Sequence, residues 1–273
     1  MLNVKTTIKP NPGKQIEIEV DGKIFSRYPI KTELFQKGDD YSSKIAKHVQ
    51  TVFACHPEEN PKDPEEHGFF AHAQNDNQKW YVVVSEKIVA ISQGRSYFIK
   101  DIKPSWFATT LSKYVKKTPH GIGLGSPWTM ELAIGEVGLP RILLASLLSV
   151  LTKPLGLQGV FYHVAGRRAA AIDGPTSYSL YPSNVSAKLA PKDPQTAAEL
   201  IRIEIMRQLS SKSNRHAEIV SASFAGVVII DANDLGRNVL GNATDKPDSF
   251  FEEVMRDNPM GQGKEGTPVV IVV

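Results

Sequence analysis

An α+β fold (mixed α/β) is predicted by three observations. Short β-branched runs at Trp80 to Val84, Val227 to Ile230 and Val269 to Val273 have the length and composition of buried strands. Stretches with apolar residues at helical spacing lie among them, at 41–54, 129–151 and 194–205. The two kinds of element do not follow the strict strand–helix–strand alternation of a parallel α/β sheet. The apolar share of 41% in 273 residues suffices for a real core, and 22% charged residues argues against wholesale disorder.

Residues 15–28 alternate through Ile16, Ile18 and Val20, meet Asp21-Gly22, and resume with Ile24 and Phe25. Asp-Gly between two such runs predicts a tight hairpin. Over 41–54, Ile45, Ala46, Val49, Val52 and Phe53 share one helical face, and Asp39, Asp40 and Ser42 stand before it as caps. Residues 55–78 are rich in proline, acids and amides, and are expected to form an inserted surface loop. Cys55, His56, His67 and His72 within it are competent zinc ligands, but their spacing matches no standard finger.

After the strand at Trp80, Glu86 and Lys87 fall between two apolar runs. Charge in such a place is costly unless paired or used for binding, the plain alternative being a pair on a sheet edge. Pro104 marks a helix start, with Phe107, Leu111 and Val115 on one face. GIGLGSP (121–127) lacks the Lys-Ser/Thr of a Walker loop and reads as a plain loop. Residues 129–151 form an apolar helical stretch broken at Gly138-Leu139-Pro140, and its Leu-rich second half is either core or a subunit contact. Gly159 to Val164 is expected as a strand, followed by Arg167 and Arg168, which can grip phosphate or simply meet solvent. Asp193 is expected as an N-cap and Pro194 as the first helical residue, with Ala197, Leu200, Ile201 and Ile205 facing the core.

GVVIIDANDLGRNVLG (226–241) places Asp231 at the end of a buried strand, with Asn233 and Asp234 close behind. Acids at the carboxyl end of a buried strand sit where α/β proteins bind ligands, and their hard oxygens suit Mg²⁺ or Mn²⁺. The competing reading is an Asx turn leaving the strand.

Charge and composition narrow the function classes. A net charge of +3 with dispersed basic residues argues against a nucleic-acid partner and fits an anionic small molecule. One cysteine precludes an intramolecular disulfide. The opening MLNVKTTIKPNPGK has no apolar signal core, and the longest apolar segment is about half a membrane span. A cytoplasmic protein with no membrane partner is expected.

Taken together, PIKT with KGDD, SEKIVAISQGR, PSNV followed by LAPKDP, VIIDANDLGR and GQGKEGTPVVIV resemble, in order, the F-420 γ-glutamyl ligase family. The resemblance runs from about residue 24 to the end and leaves out 55–78. It implies that family's fold of mixed sheets and flanking helices, with 1–273 as a single ligase-like unit. It also implies a homodimer that uses GTP (ATP is not separable from sequence) and a divalent metal, Mg²⁺ or Mn²⁺. The activity implied is phosphorylation of a carboxylate substrate and its coupling to L-glutamate.

Carried over by position, nucleotide contacts fall on Tyr28, Pro29, Ile30 and Lys31, on Glu86 and Lys87, on Asn184, and on Gly261, Gln262, Gly263, Lys264, Glu265, Gly266, Thr267 and Pro268. The strand-end metal ligand falls on Asp231, with Gln262 as a possible second-metal ligand. Lys87 neutralises phosphate in this scheme, so Asp231 and Lys87 are the catalytic pair. The chain departs from the family at three places. Tyr181 stands where an Asp is expected, which Asp173 can replace if the chain folds back. Ala232 stands for a hydroxyl residue, which Asn233 or Asp234 can replace, and Ile91 stands for a lysine. These departures leave open a non-catalytic relative that binds a nucleotide or anionic metabolite.

Overall fold

The computed structural model describes residues 9–54, 79–115, 123–157, 159–176, 181–211, 220–233 and 236–273. The 55–78 segment with its Cys and His residues, and Asp234, lie outside them. Read from sequence as one unit, the chain divides by its internal contacts into two compact units, Met1–Ser92 with Lys192–Val273, and Gln93–Pro191.

The strands are β1 (Glu17–Val20), β2 (Lys23–Ile30), β3 (Trp80–Ser85), β4 (Ser96–Phe98), β5 (Ser186–Lys188), β6 (Phe224–Ala232), β7 (Arg237–Ala243) and β8 (Val269–Val272). In the first unit six of them form one sheet in the order β1-β2-β8-β3-β6-β7. The β3–β6 pair is parallel and the other four pairs are antiparallel, so the sheet is mixed. Together with the helices this makes the fold α+β, as expected. Asp21 and Gly22 both take positive φ, 51° and 73°, which is the tight hairpin turn that Asp-Gly predicts.

The continuous apolar runs are explained by burial on both sheet faces. Val82, Val84, Val227, Ile229, Val269 and Ile271 face one core, closed by the helices Tyr41–Ala54 and Pro194–Ser210. Tyr81, Val83, Val228, Ile230, Val270 and Val272 face the other, closed by the helix Asp248–Val254. The predicted face of the first helix is buried from Ile45 to Phe53, and Ile45, Val49, Val52 and Phe53 each contribute about 1.5–3 kcal/mol. Asp40 caps this helix by accepting from Ser43 N at 3.1 Å. Asp39 accepts from Gln36 N and pairs with Lys44 at 2.7 Å. The lysine, then the Gln36 amide, hold the Asp39 carboxyl below its ordinary range.

The helix Pro194–Ser210 departs from expectation in two details. Asp193 is at the N-cap position, but in a left-handed conformation with no side-chain capping bond. Ala197, Ala198, Ile201, Ile205 and Leu209 face the core, whereas Leu200 is 47% exposed. A stripe advancing by four residues from Ala197 passes one residue beyond Leu200, so the helix turns that side chain outward.

The second unit is mainly helical, with Trp106–Leu111, Pro127–Val137, Leu139–Thr152, Val160–Ala165 and Arg167–Ala170 beside the antiparallel pair β4–β5. Its core joins Ala108, Leu124, Met130, Ala133, Ile142, Ala145, Phe161, Ala165 and Ala169. The break at Gly138 holds, with φ at 87° between two helices. The strand expected at Gly159 to Val164 is instead the helix Val160–Ala165. Its aromatic and β-branched composition favours a strand locally, but the positive-φ glycines Gly159 and Gly166 confine it to two turns. Phe161 and Ala165, four apart, then bury on one helical face. Phe107, expected on a core face, is 39% exposed, and Ala108 is buried in its place. No single helix among the described residues is long and apolar enough to cross a membrane.

Candidate functional site

Strand direction brings most of the expected residues to one edge of the first unit's sheet. β3 and β6 are parallel, and β8 runs antiparallel to both β2 and β3. The carboxyl ends of β2, β3 and β6 and the entrance to β8 therefore lie together. Lys31, Glu86, Asp231 and the loop 261–268 each leave or enter a strand there. Two backbone bonds seal the edge, Thr32 N to Gly266 O at 3.0 Å and Ser85 N to Pro268 O at 2.8 Å. Ser85 stands opposite Ile230 in the parallel register, so Glu86 and Asp231 follow at neighbouring positions.

The side chains divide by burial. Tyr28 and Ile30 point into the main core, so that segment offers its backbone and the exposed Lys31 to a ligand. Burial, the largest effect, raises the Tyr28 hydroxyl above its ordinary pKa. Glu86 and Lys87 open the helix Glu86–Ser92 directly after β3, a turn that sequence read only as charge between apolar runs. Glu86 is buried in its first turn, where the helix dipole favours a carboxylate, and Lys87 is half-buried. Ile91, where the resemblance implies a lysine, lies within the main core and packs there. Asp231, the penultimate residue of β6, is half-buried. The Asx turn follows it, with Gly236 N donating to Asn233 Oδ1 and Asn233 N to Gly236 O, both at 2.9 Å. Asn233 is thus engaged in the turn, while Ala232 packs against the second core.

The 261–267 loop is held by residues that sequence reasoning missed. Asn11 Nδ2 donates to Pro259 O and to Thr267 Oγ1, each at 2.7 Å. The Thr267 hydroxyl donates on to Met260 O at 2.8 Å. Thr267, carried over as a nucleotide contact, is buried with its hydroxyl in this network. Asn258 is fully buried at a positive φ of 50° and donates to Gly261 O at 3.2 Å. Asn11, more than two hundred residues from its partners, carries no local sequence signal. Glu265 turns back on the loop, accepting from Gly263 N at 2.7 Å. Gln262 is half-buried and Lys264 exposed.

Asp173 and Asn184 belong to the second unit. Asp173 bridges to Lys188 through two backbone bonds, Asp173 N to Lys188 O at 2.9 Å and Lys188 N to Asp173 O at 2.8 Å, and its carboxylate pairs with Lys188 Nζ at 3.3 Å. Asn184 Oδ1 is buried without a hydrogen-bond partner among the described residues, an acceptor open to a donor from elsewhere. Tyr181 is exposed against the Phe98 ring, 6.1 Å between centroids. Arg168 is exposed.

Among the described residues no three His, Cys, Asp or Glu side chains converge as a metal cage. Mg²⁺ does not need one, since it is commonly held by one or two carboxylates together with substrate phosphates. Asp231 at the strand end fits that lesser requirement. The edge therefore offers a hard carboxylate, cationic side chains at Lys31 and Lys87, and a glycine-rich loop, a combination suited to a phosphorylated ligand.

The sequence model of one protein family, described as F420-0:gamma-glutamyl ligase, matches residues 29–220, more than half of the chain. No curated protein matches the chain.

Proposed function

The chain belongs to the F420-0:gamma-glutamyl ligase family, and from that premise we propose that it is a nucleotide- and divalent-metal-dependent amide ligase joining L-glutamate to a carboxylate substrate. In this reading a substrate carboxylate oxygen attacks the terminal phosphorus of GTP, and GDP leaves. The amine of L-glutamate attacks the acyl carbon of the resulting acyl phosphate, inorganic phosphate leaves, and the amine gives up a proton. A carboxylate is a poor acyl donor and its mixed anhydride with phosphate a good one, so the nucleotide supplies the driving force. Phosphoryl transfer calls chiefly for positioning and charge neutralisation.

The observation that carries the reading is the meeting of Lys31, Glu86, Lys87, Asp231 and the 261–268 loop at one sheet edge. Lys87 and Lys31 neutralise phosphate charge, and the loop amides cradle it. Asp231 would hold Mg²⁺ or Mn²⁺, with Gln262 as a further oxygen ligand, and the metal would neutralise charge on the transferred group. Within the second unit, Asn184 offers an acceptor, and Arg168 a cation, to an anionic ligand. A homodimer is supported by the apolar exposed face of the helix Leu139–Thr152.

The test is calorimetric titration of GTP and of ATP, with and without Mn²⁺, on wild type and Asp231→Ala, followed by phosphate release with L-glutamate and candidate acids. Metal-dependent binding lost in the variant, and glutamate-dependent release, are expected. No nucleotide binding under any condition overturns the reading. The core position of Ile91 favours a second reading, a relative that binds an anionic metabolite or nucleotide without turnover. Metal-independent binding with no phosphate release would select it.

A further inference from the structure

The loop placed at the phosphate position is already engaged with an anion, and the anion is the chain's own. Glu265 Oε2 accepts from Gly263 N at 2.7 Å. The carboxylate lies so close over the loop that a Cβ on Gly261 would stand 2.7 Å from Glu265 Cδ, and one on Gly263 would stand 3.3 Å from both carboxylate oxygens. Both glycines therefore leave room for a carboxylate held against bare backbone. The rim of the loop is fixed independently, by Asn11, Thr267 and Met260 at its base, by Asn258 under Gly261, and by Thr32 on Gly266. The Glu265 side chain is attached by the Gly263 bond and remains half-buried, so it can swing to solvent without disturbing that rim.

We propose that Glu265 is an exchangeable internal anion, standing in the 261–263 cradle for the phosphate of an incoming ligand and leaving when that ligand binds. The physical argument is charge. A second anion entering beside a resident carboxylate meets repulsion at short range, so the phosphate site is emptied by expelling Glu265. The ligand's Gly263 contact is thus gained only after the Glu265 contact is broken, which lowers affinity and satisfies the Gly263 amide in the absence of ligand. The proposal rests on the assignment of this loop to phosphate but not on catalysis of ligation.

The experiment uses the full chain and inorganic pyrophosphate without metal as the probe. Affinity is measured for wild type, Glu265→Gln and Glu265→Ala, with the Gly263 amide followed by nuclear magnetic resonance. Removing a charged competitor for one amide is expected to tighten pyrophosphate binding about tenfold in Glu265→Ala, and by less in Glu265→Gln, which keeps an oxygen acceptor. The Gly263 amide should lose exchange protection in unliganded Glu265→Ala and regain it with pyrophosphate. Unchanged or weaker binding in Glu265→Ala, no binding in either protein, or a Gly263 resonance that pyrophosphate does not move each overturns the proposal. Tightening without any nucleotide-driven phosphate release would retain the internal anion while removing the ligase reading, so the two failures are distinguishable.

Discussion

The two compact units treat their apolar side chains in opposite ways. In the first, the strands β3, β6 and β8 are covered on both faces, and Val82, Val228, Ile229 and Ile271 are fully buried. In the second, five of the eleven buried core residues are alanines, while Leu143, Leu144, Leu147, Val150, Leu151, Leu155 and Leu157 remain exposed. Small residues let its helices approach closely, so its leucines are not needed inside. The sheet unit thus buries both faces of its central strands, leaves Leu200 and Ile203 outward on one helix, and sets Lys31, Glu86, Lys87 and Asp231 at the carboxyl ends of its strands. The helical unit carries an unspent apolar face, of the kind that marks a contact with something else.

The largest expected break in that comparison is Ile229→Ala. It opens a cavity in a core closed on all sides, and is expected to cost about 2–5 kcal/mol in denaturant unfolding. Next is Arg27→Met. Arg27 is 1% exposed, forms a two-pronged pair with Asp257, and donates to Val254 O at 2.9 Å and Gln15 O at 2.7 Å. Losing it leaves a half-buried carboxylate and carbonyls unpaired, an expected loss of about 3 kcal/mol. Burial pushes the Asp257 carboxyl upward, but the Arg27 hydrogen bond and charge outweigh it, and the net shift is downward. The pair therefore stabilises fully above the ordinary carboxylate value, and that stability is lost as pH falls through the lowered folded value. In Arg27→Met this acid slope should flatten; an unchanged slope would assign it to other carboxylates, such as Glu204, held at about 2 first by Arg207 and then by Gln208.

The smallest stability effect is expected on the exposed face. Leu144→Glu with Leu147→Glu should change unfolding by less than about 0.5 kcal/mol, because both side chains already meet water. Light scattering should nonetheless show a dimer become a monomer if this face joins two copies. A dimer that survives both changes removes the helix Leu139–Thr152 from the interface and sharpens the contrast between the units.

Legibility in the sequence tracked how local each feature is. Asp21-Gly22 specified its hairpin because positive φ at two residues is a local demand. The face from Ile45 to Phe53 was legible because its period is helical and its burial one-sided. Val160–Ala165 was not, because its propensity points to a strand and only two flanking glycines and a helical neighbour reverse it. At the site, Asp231, Glu86 and the glycine loop stood out as polar residues beside buried runs. Asn11 did not, since a single amide bridging to Pro259 and Thr267 leaves no pattern along the chain.

By itself the sequence determined which segments are strands buried on both faces, where the chain turns, and which acids, lysines and glycines sit at strand ends. These follow from periodicity, backbone sterics and the cost of burying charge, all properties of neighbouring residues. Only the tertiary structure decided that β8 lies between β2 and β3, and so that Lys31, Glu86, Asp231 and Gly266 share one edge. It alone decided that Glu265 closes over its own loop and that Asp173 pairs with Lys188. Strand pairing joins backbone groups that are alike at every residue. The choice of partner is therefore made by how whole faces pack, which no local stretch encodes.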